Sequence, residues 1–316
     1  MSSLLARFAE NIFWLGRCLE RAENIARVLH VNTTYGRDDP NGPDWRRVLR
    51  LYADEERFNA SYPESNAAGA LGFYLTDRDN PSSIVSAISR ARENARSVRH
   101  LISTEMWTHL NVFSGQVRAL NARDVRLSNL ATVATQIING CQTFEGIAEG
   151  TFVRQSAWCF YHIGKYLERA DQTTRILDIA YDRLLLNKRS AVATVQWNLL
   201  LRSVSGYHAY RSKFPGILRS HEIVTFLISD DEFPRAVSLC VDRMVERLRD
   251  IERQQKRKRA RPVEKTLQEL DTFLEQGPGQ RPTPAGLHAF LDHVQIALGN
   301  ISNAVGECYF RQPAGV

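Results

Sequence analysis

The feature that most constrains this chain is a pattern that occurs twice. "WLGRCLERAENIARVL", Trp14 to Leu29, returns 148 positions later as "HIGKYLERADQTTRIL", His162 to Leu177. Between Gly16–Leu29 and Gly164–Leu177, seven of fourteen positions are identical. "WRRVLR" from Trp45 then matches "WNLLLR" from Trp197, and "YLTDRDNPSSIV" from Tyr74 matches "FLISDDEFPRAV" from Phe226 once one residue is inserted. Three matches in one order, at nearly one offset, indicate a duplicated unit of about 150 residues. The expected boundaries are 1–150 for the first helical repeat and 151–316 for the second. The join near Glu149-Gly150-Thr151 is short, and short connections pack neighbouring helices directly. The two repeats should therefore form one compact unit.

Each repeat has the periodicity of helices. Apolar residues recur at spacings of three and four from Glu10 to Tyr35, at Ile12, Leu15, Leu19, Ala22, Ala26 and Leu29. Asn80-Pro81-Ser82-Ser83 is a helix start, with Ile84, Ile88, Ala91, Ala95, Val98 and Ile102 forming a stripe behind it. Glu232-Phe233-Pro234 begins the counterpart. Arg123–Glu149, Ser156–Leu186, Val192–Arg211 and Leu287–Glu307 are also long and periodic, and no alternating run is bounded by Asn-Gly or Asp-Gly turns. Pro and Gly gather at Gly36–Trp45 and Glu275–Gly286, where connections are needed. The expected fold is all-α: a helical bundle of two duplicated multi-helix units related by a pseudo-two-fold axis.

Composition excludes several classes. No apolar run approaches the roughly 18 residues of a membrane span, and Arg7, Glu10 and Arg17 interrupt the amino-terminal apolar residues. No signal peptide or membrane association is expected, and the cytoplasm is the expected compartment. Five scattered cysteines without a CxxC pair argue against a disulfide framework or a zinc site. Of the net charge of +6, five positive charges lie in "KRKRAR", Lys256 to Arg261. No aromatic residues interleave with that run to stack bases, so it reads as an exposed, mobile segment and not a nucleic-acid site. Walker A, HExxH, nucleophile-elbow and GxGxxG patterns are absent. The closest histidines, His288 and His293, are five apart and off a common helix face. No metal or cofactor is expected.

The repeated motif is the candidate site. On a helix, Arg17, Glu20, Asn24 and Arg27 fall within about 80° of one another, with Phe13 and Val31 at the ends of the stripe. Leu15, Leu19, Ala22, Ala26 and Leu29 lie on the other side. The second copy repeats the stripe as Tyr161, Lys165, Glu168, Gln172, Arg175 and Ile179. Three readings remain open. The stripe can be the solvated face of an amphipathic helix, with i,i+4 pairs worth about 0.2–0.5 kcal/mol. It can face an interhelical cavity where Glu–Arg pairs tie the copies together. Or the same cavity can bind an anionic or amino-acid-like group, with Arg27 and Arg175 taking a carboxylate and Glu20 and Glu168 taking an amine. The expectation that follows is that Glu20, Arg27, Glu168 and Arg175 share one polar cleft. Along Arg90–Asn111, Glu93 and Arg96 form a similar i,i+3 pair, followed by Glu105, Trp107 and Asn111.

"NIFWLGRCLERAENIARVL", "NPSSIVSAISRARENARSVRHLISTEMW" and "WCFYHIGKYLERADQTTRIL" resemble the bacterial alpha-E proteins, an all-helical family marked by Glu/Arg motifs. The resemblance runs over nearly the whole chain. It places the family's motif on Glu20, Arg21, Glu23, Asn24 and Arg27, on Arg92, Glu93 and Arg96, and on Glu168, Arg169 and Arg175. It implies a setting of amide-bond formation beside a circularly permuted ATP-grasp ligase, with transglutaminase-like proteins as companions. This sequence has no ATP-grasp portion of its own, so the implied ligase acts in trans, and the task is peptide synthesis or tagging.

Two functions, with a structural fallback, follow as expectations. The first is a non-catalytic accessory or binding subunit of an amidoligase system, holding a peptide or amino-acid-like ligand. The second is an enzyme using Glu20 or Glu168 as a general base, although neighbouring arginines should lower the pKa that such a base needs raised. A purely structural helical dimerisation module remains if both stripes face solvent.

Overall fold

The computed structural model describes residues 4–34, 42–62, 64–121, 123–186, 191–255, 261–277 and 283–311. Among them every regular element is helical. The first half runs α1 (Ala6–Thr34), α2 (Trp45–Leu51), α3 (Glu55–Ser61), α4 (Ala67–Leu75), α5 (Ile84–Ser97), α6 (Thr104–Arg118) and α7 (Leu130–Thr151). The second half runs α8 (Ser156–Leu186), α9 (Ala191–Ser203), α10 (Tyr207–Lys213), α11 (Ser220–Ser229), α12 (Val237–Gln255), α13 (Arg261–Gln276) and α14 (Pro284–Val305), closed by a π-helical turn at Gly306–Phe310. Both halves follow the same order: one long helix, three short ones, then three of middle length.

The long helices α1 and α8 form the centre. Helix α1 packs against α5, α7 and α8, and α8 packs against α1, α12 and α14. Two glycines set how closely the central pair crosses. A Cβ on Gly16 would sit 2.2 Å from the Tyr161 carbonyl oxygen, and one on Gly164 would sit 2.1 Å from the Phe13 carbonyl oxygen. These distances are far inside van der Waals contact, so only glycine admits the crossing. The two contacts are reciprocal at the offset of the sequence repeat, as a local two-fold relation between α1 and α8 requires.

Packing of α1 against α5, α7 and α8 changes what the helix pattern means. In α1 the apolar residues Leu15, Leu19, Ala22, Ala26 and Leu29 are buried, but so are Glu20, Glu23 and Asn24. The polar stripe is an internal surface, not a solvated face. Burial of charge at this depth is tolerated only with partners.

Three expected helices differ in extent. The segment from Arg123 becomes helical only at Leu130. Val192–Arg211 is divided between α9 and α10 around Ser205, a non-glycine residue at φ +56. Ala53 takes φ +52 between α2 and α3, 152 positions earlier, so the same left-handed turn occurs at the place that the sequence match pairs with Ser205. Arg90–Asn111 is likewise divided, because α5 ends at Ser97 and Ser103 caps α6 by accepting the Met106 amide. Of the "KRKRAR" run, Lys256 to Ala260 lie outside the described residues, and Arg261 is the first residue of α13.

Candidate functional site

Adjacent residues on a helix point about 100° apart and do not face each other. The Glu-Arg dipeptides of α1 and α8 therefore pair across the crossing. Arg21 of α1 donates from Nε to Glu168 Oε1 at 2.6 Å and from Nη2 to Oε2 at 2.9 Å. Arg169 of α8 donates from Nε to Glu20 Oε1 at 3.0 Å and from Nη2 to Oε2 at 2.7 Å. Each dipeptide thus gives its carboxylate to, and takes one from, the other helix in a planar two-bond fork.

Beyond the two forks the surroundings diverge. Glu168 is 0% exposed, and Arg17 completes its shell through a 2.9 Å bond to Oε2 while reaching Ser302 at 3.2 Å. Burial would raise the Glu168 pKa, but Arg21 and Arg17 more than offset it and push it down to about 2. Glu20 instead meets Arg235, which enters from the turn before α12. Arg235 donates from Nη1 to Glu20 Oε1 and Asn24 Oδ1, both at 2.7 Å, and from Nη2 to Glu23 Oε1 at 3.0 Å. Burial again works to raise the Glu20 pKa, while Arg169 and Arg235 hold it far below the ordinary carboxylate range.

The Glu20 side opens on a cleft of about 220 Å³. Gly16, Leu19, Cys141 and Tyr161 form part of its wall. The charged lining consists of Glu20, Glu23 and Glu145 with Arg27, Lys165, Arg169 and Arg235, while Gln142 and Ser205 add polar groups. Lys165 and the Tyr161 hydroxyl both bond Glu145, the latter at 2.7 Å. Arg27 bonds Glu23 through Nη2, but its buried Nε has no hydrogen-bond partner among the described residues. That N–H is an unsatisfied donor on a residue that lines the cleft.

The expected shared cleft is therefore corrected. Glu20, Arg27 and Lys165 line the cleft, with Asn24 tied in behind them through Arg235. Glu168 and Arg17 lie in the closed counterpart. Arg175 bonds Asp171 on its own helix at 2.8 Å and is 34% exposed, so it does not face Arg27. Gln172 is buried away from the lining, and its side-chain carbonyl has no hydrogen-bond partner among the described residues. Glu93 and Arg96 form an exposed pair at 2.7 Å, an ordinary solvated contact. Trp107 and Asn111 pack and bond against Arg92.

Sequence reasoning missed Glu145 and above all Arg235, and named Glu23 and Arg169 only as motif positions and not as members of the polar stripe. In the inserted alignment of the repeats, Arg235 stands where the first copy has Ser82. A neutral-to-charged difference between aligned copies was the available signal.

Among the described residues, three groups of side chains have metal-ligating geometry: Glu145, Glu149 and His162; Asp178, His288 and Asp292; and Asp230, Asp231 and Glu232. Protein donors already engage them. Lys165 holds Glu145, Arg154 holds Glu149, His288 bonds Asp178 at 2.8 Å, and Lys213 bonds Asp230 at 2.6 Å. Cations at the first and third groups oppose a bound metal ion. Among the described residues, no helix is long and apolar enough to cross a membrane.

Three curated relatives match with 23% identity over 265 residues: an uncharacterized protein of Mycobacterium bovis and uncharacterized proteins of two Mycobacterium tuberculosis strains. The alignment takes in 78% of this chain but only 30% of each relative. No solved structure matches the chain at a significant level. Residues 4–310 match the family named Alpha-E, described as "a predicted alpha-helical domain with a conserved ER motif". The reciprocal forks of Glu20-Arg21 and Glu168-Arg169 give such a motif a physical role, and the chain belongs to the Alpha-E family.

Proposed function

We propose that this chain is a non-catalytic binding subunit of an amide-bond-forming system, presenting a peptide end or an amino-acid-like ligand to an ATP-grasp ligase acting in trans. The observation that carries this reading is the cleft at Glu20, with its mixed charge and the unpartnered Arg27 Nε–H. Four cations and three carboxylates surround a space open to a small molecule. A zwitterion matches both signs at once. Its carboxylate would take the Arg27 Nε–H, and its amine would take Glu23 or Glu145. At about 220 Å³ the space is below the ~300–1,000 Å³ of pockets for drug-sized ligands, which suits one amino acid or the end of a peptide.

The electrostatics favour binding over catalysis. A general base working near neutral pH needs a raised carboxylate pKa, whereas Glu20 is held low. The Cys141 thiol on the cleft wall is pushed well up by burial and by Glu23 and Glu20, so it stays protonated and weakly nucleophilic. In the mycobacterial relatives the matched region is 30% of the chain, which fits a module that works beside another activity. The association with an amidoligase rests on the likeness between this chain's motifs and those of alpha-E proteins.

The test is co-purification with the product of the neighbouring gene, followed by nucleotide turnover with and without this protein. A complex whose turnover depends on this chain, and falls with Arg27→Lys, supports the reading. Turnover by this chain alone, abolished by Glu20→Gln, would replace it with the enzymatic alternative.

A further inference from the structure

A second pocket opens on the neighbouring stripe of α8. It has a volume of about 310 Å³ and is lined by Glu149, Arg154, Trp158, His162, Tyr166, Arg243 and Arg247. Its charges are unbalanced: three guanidiniums face one carboxylate. Arg154 and Arg247 lie over the Trp158 ring, 4.9 and 4.7 Å from its centre, which holds both planes beside the opening. Arg243 is braced by Glu246 at 2.9 Å, and Arg247 by Glu246 at 3.2 Å and Asp250 at 3.0 Å.

Two buried polar side chains in this wall lack partners. The Trp158 indole N–H bonds nothing among the described residues, and neither ring nitrogen of His162 has a hydrogen bond of acceptable geometry, although Nε2 lies 3.2 Å from Glu149 Oε1. Buried donors without partners cost about 1–3 kcal/mol each, so their coincidence in one small basic pocket calls for a ligand. We propose that this pocket is a phosphate-type oxyanion site, in which Arg243 and Arg247 supply charge and the Trp158 and His162 N–H groups supply the inner hydrogen bonds. The lining carries three guanidiniums and one carboxylate, a net positive charge that suits an oxyanion. Burial, together with Lys165, Arg247, Arg169 and Arg154, pushes the His162 pKa down to about 2. The ring is therefore neutral at physiological pH and offers one N–H. The same cations oppose the alternative use of Glu145, Glu149 and His162 as metal ligands. This site is independent of the ligand proposed for the Glu20 cleft.

The test is titration calorimetry of the full chain with inorganic phosphate and, separately, with ATP, at low and at raised ionic strength. Phosphate should bind with unit stoichiometry and weaken as salt rises. Arg243→Gln combined with Arg247→Gln should weaken it at least tenfold, and Arg154→Gln, at an exposed position, should weaken it less. The ligand-free melting temperature of Arg154→Gln should match that of the wild type, which separates lost binding from lost folding. Arg27→Lys, in the other cleft, should leave phosphate binding unchanged whether or not that cleft binds a zwitterion. Binding of ATP tighter than phosphate, with the same variants weakening both, assigns the site to a nucleotide's phosphoryl groups; equal affinities assign it to free phosphate. No saturable binding, binding indifferent to all three arginine substitutions, or stoichiometric zinc binding lost in His162→Gln would overturn the proposal.

Discussion

Glu20 and Glu168 occupy equivalent places in the two motifs and receive equivalent forks from Arg169 and Arg21, yet they end in different environments. Glu168 is closed over by Arg17 and Arg21 on the side of α14. Glu20 is joined by Arg235 and left at the edge of a cleft. The cations one turn before the two glutamates show how this happens. Arg17 turns across to Glu168, whereas Lys165 turns away from Glu20 to Glu145. Arg235 takes up part of the charge left behind, but it reaches in from a loop and leaves room beside it. One local framework thus supports a sealed tie on one side and a lined opening on the other.

The largest effect should come from breaking what both sides share. Gly16→Ala or Gly164→Ala drives a Cβ into a backbone carbonyl of the partner helix. Each should cost more than about 4 kcal/mol or prevent folding, read by circular dichroism and urea midpoint. Equal damage from the two would support a shared two-fold crossing; mild effects would mean that the helices can separate without penalty.

The next test separates the sides. Glu168→Ala removes a fully buried carboxylate that holds both Arg17 and Arg21 and should cost about 3–5 kcal/mol. Glu20→Ala leaves Arg235 with Glu23 and strips Arg169 of its fork. Arg169 keeps its bond to the Pro234 carbonyl and lines the cleft that water can enter, so the loss should be about 1–3 kcal/mol. A reversed order, measured by urea unfolding, would break the comparison.

Acid should act on both sides, because Glu20 and Glu168 are both held below the ordinary carboxylate range. Glu168 has a folded pKa of about 2 against an ordinary 4.5, so its stabilisation is fully present above pH 4.5 and lost as pH falls through 2. The shift corresponds to about 3 kcal/mol. His162, at about 2 against 6.5, adds a loss that begins earlier, as pH drops below 6.5 and the unfolded ring takes a proton that the folded ring refuses. Urea midpoints from pH 7.5 to 3 should therefore fall in two stages, and His162→Phe should remove the first. The smallest effect should be at the exposed pair: Arg96→Ala should change stability by only about 0–1 kcal/mol.

Much of this was legible in the sequence, because helical periodicity is local. The span Ser156–Leu186 was read to the residue, and the stripe Ile84 to Ile102 is buried as its spacing implies. Breaks held by a single turn were not legible. Nothing around Ser205 except Gly206 interrupts the apolar spacing, and the cap at Ser103 lies inside an otherwise continuous pattern. The site was harder still. A helical wheel gives the face of one helix and cannot show that Arg21 passes over its own helix's Glu20 to reach Glu168. The adjacency of Glu and Arg held a clue, since neighbours in a helix face different directions and, when buried, look to other elements for partners. Arg235 lies 215 positions from the carboxylate it binds, beyond any local pattern.

The most direct measurement compares Arg27→Lys with Arg175→Lys for binding of a library of free dipeptides, followed by ligand-observed NMR. The two arginines are motif equivalents, but only Arg27 lines the cleft. Lysine keeps the charge and loses the planar fork and the Nε–H. The account predicts that the wild type and Arg175→Lys bind the same dipeptides, while Arg27→Lys binds them at least tenfold more weakly with an unchanged melting temperature. Equal behaviour of the two variants, or no dipeptide bound by the wild type, would contradict it.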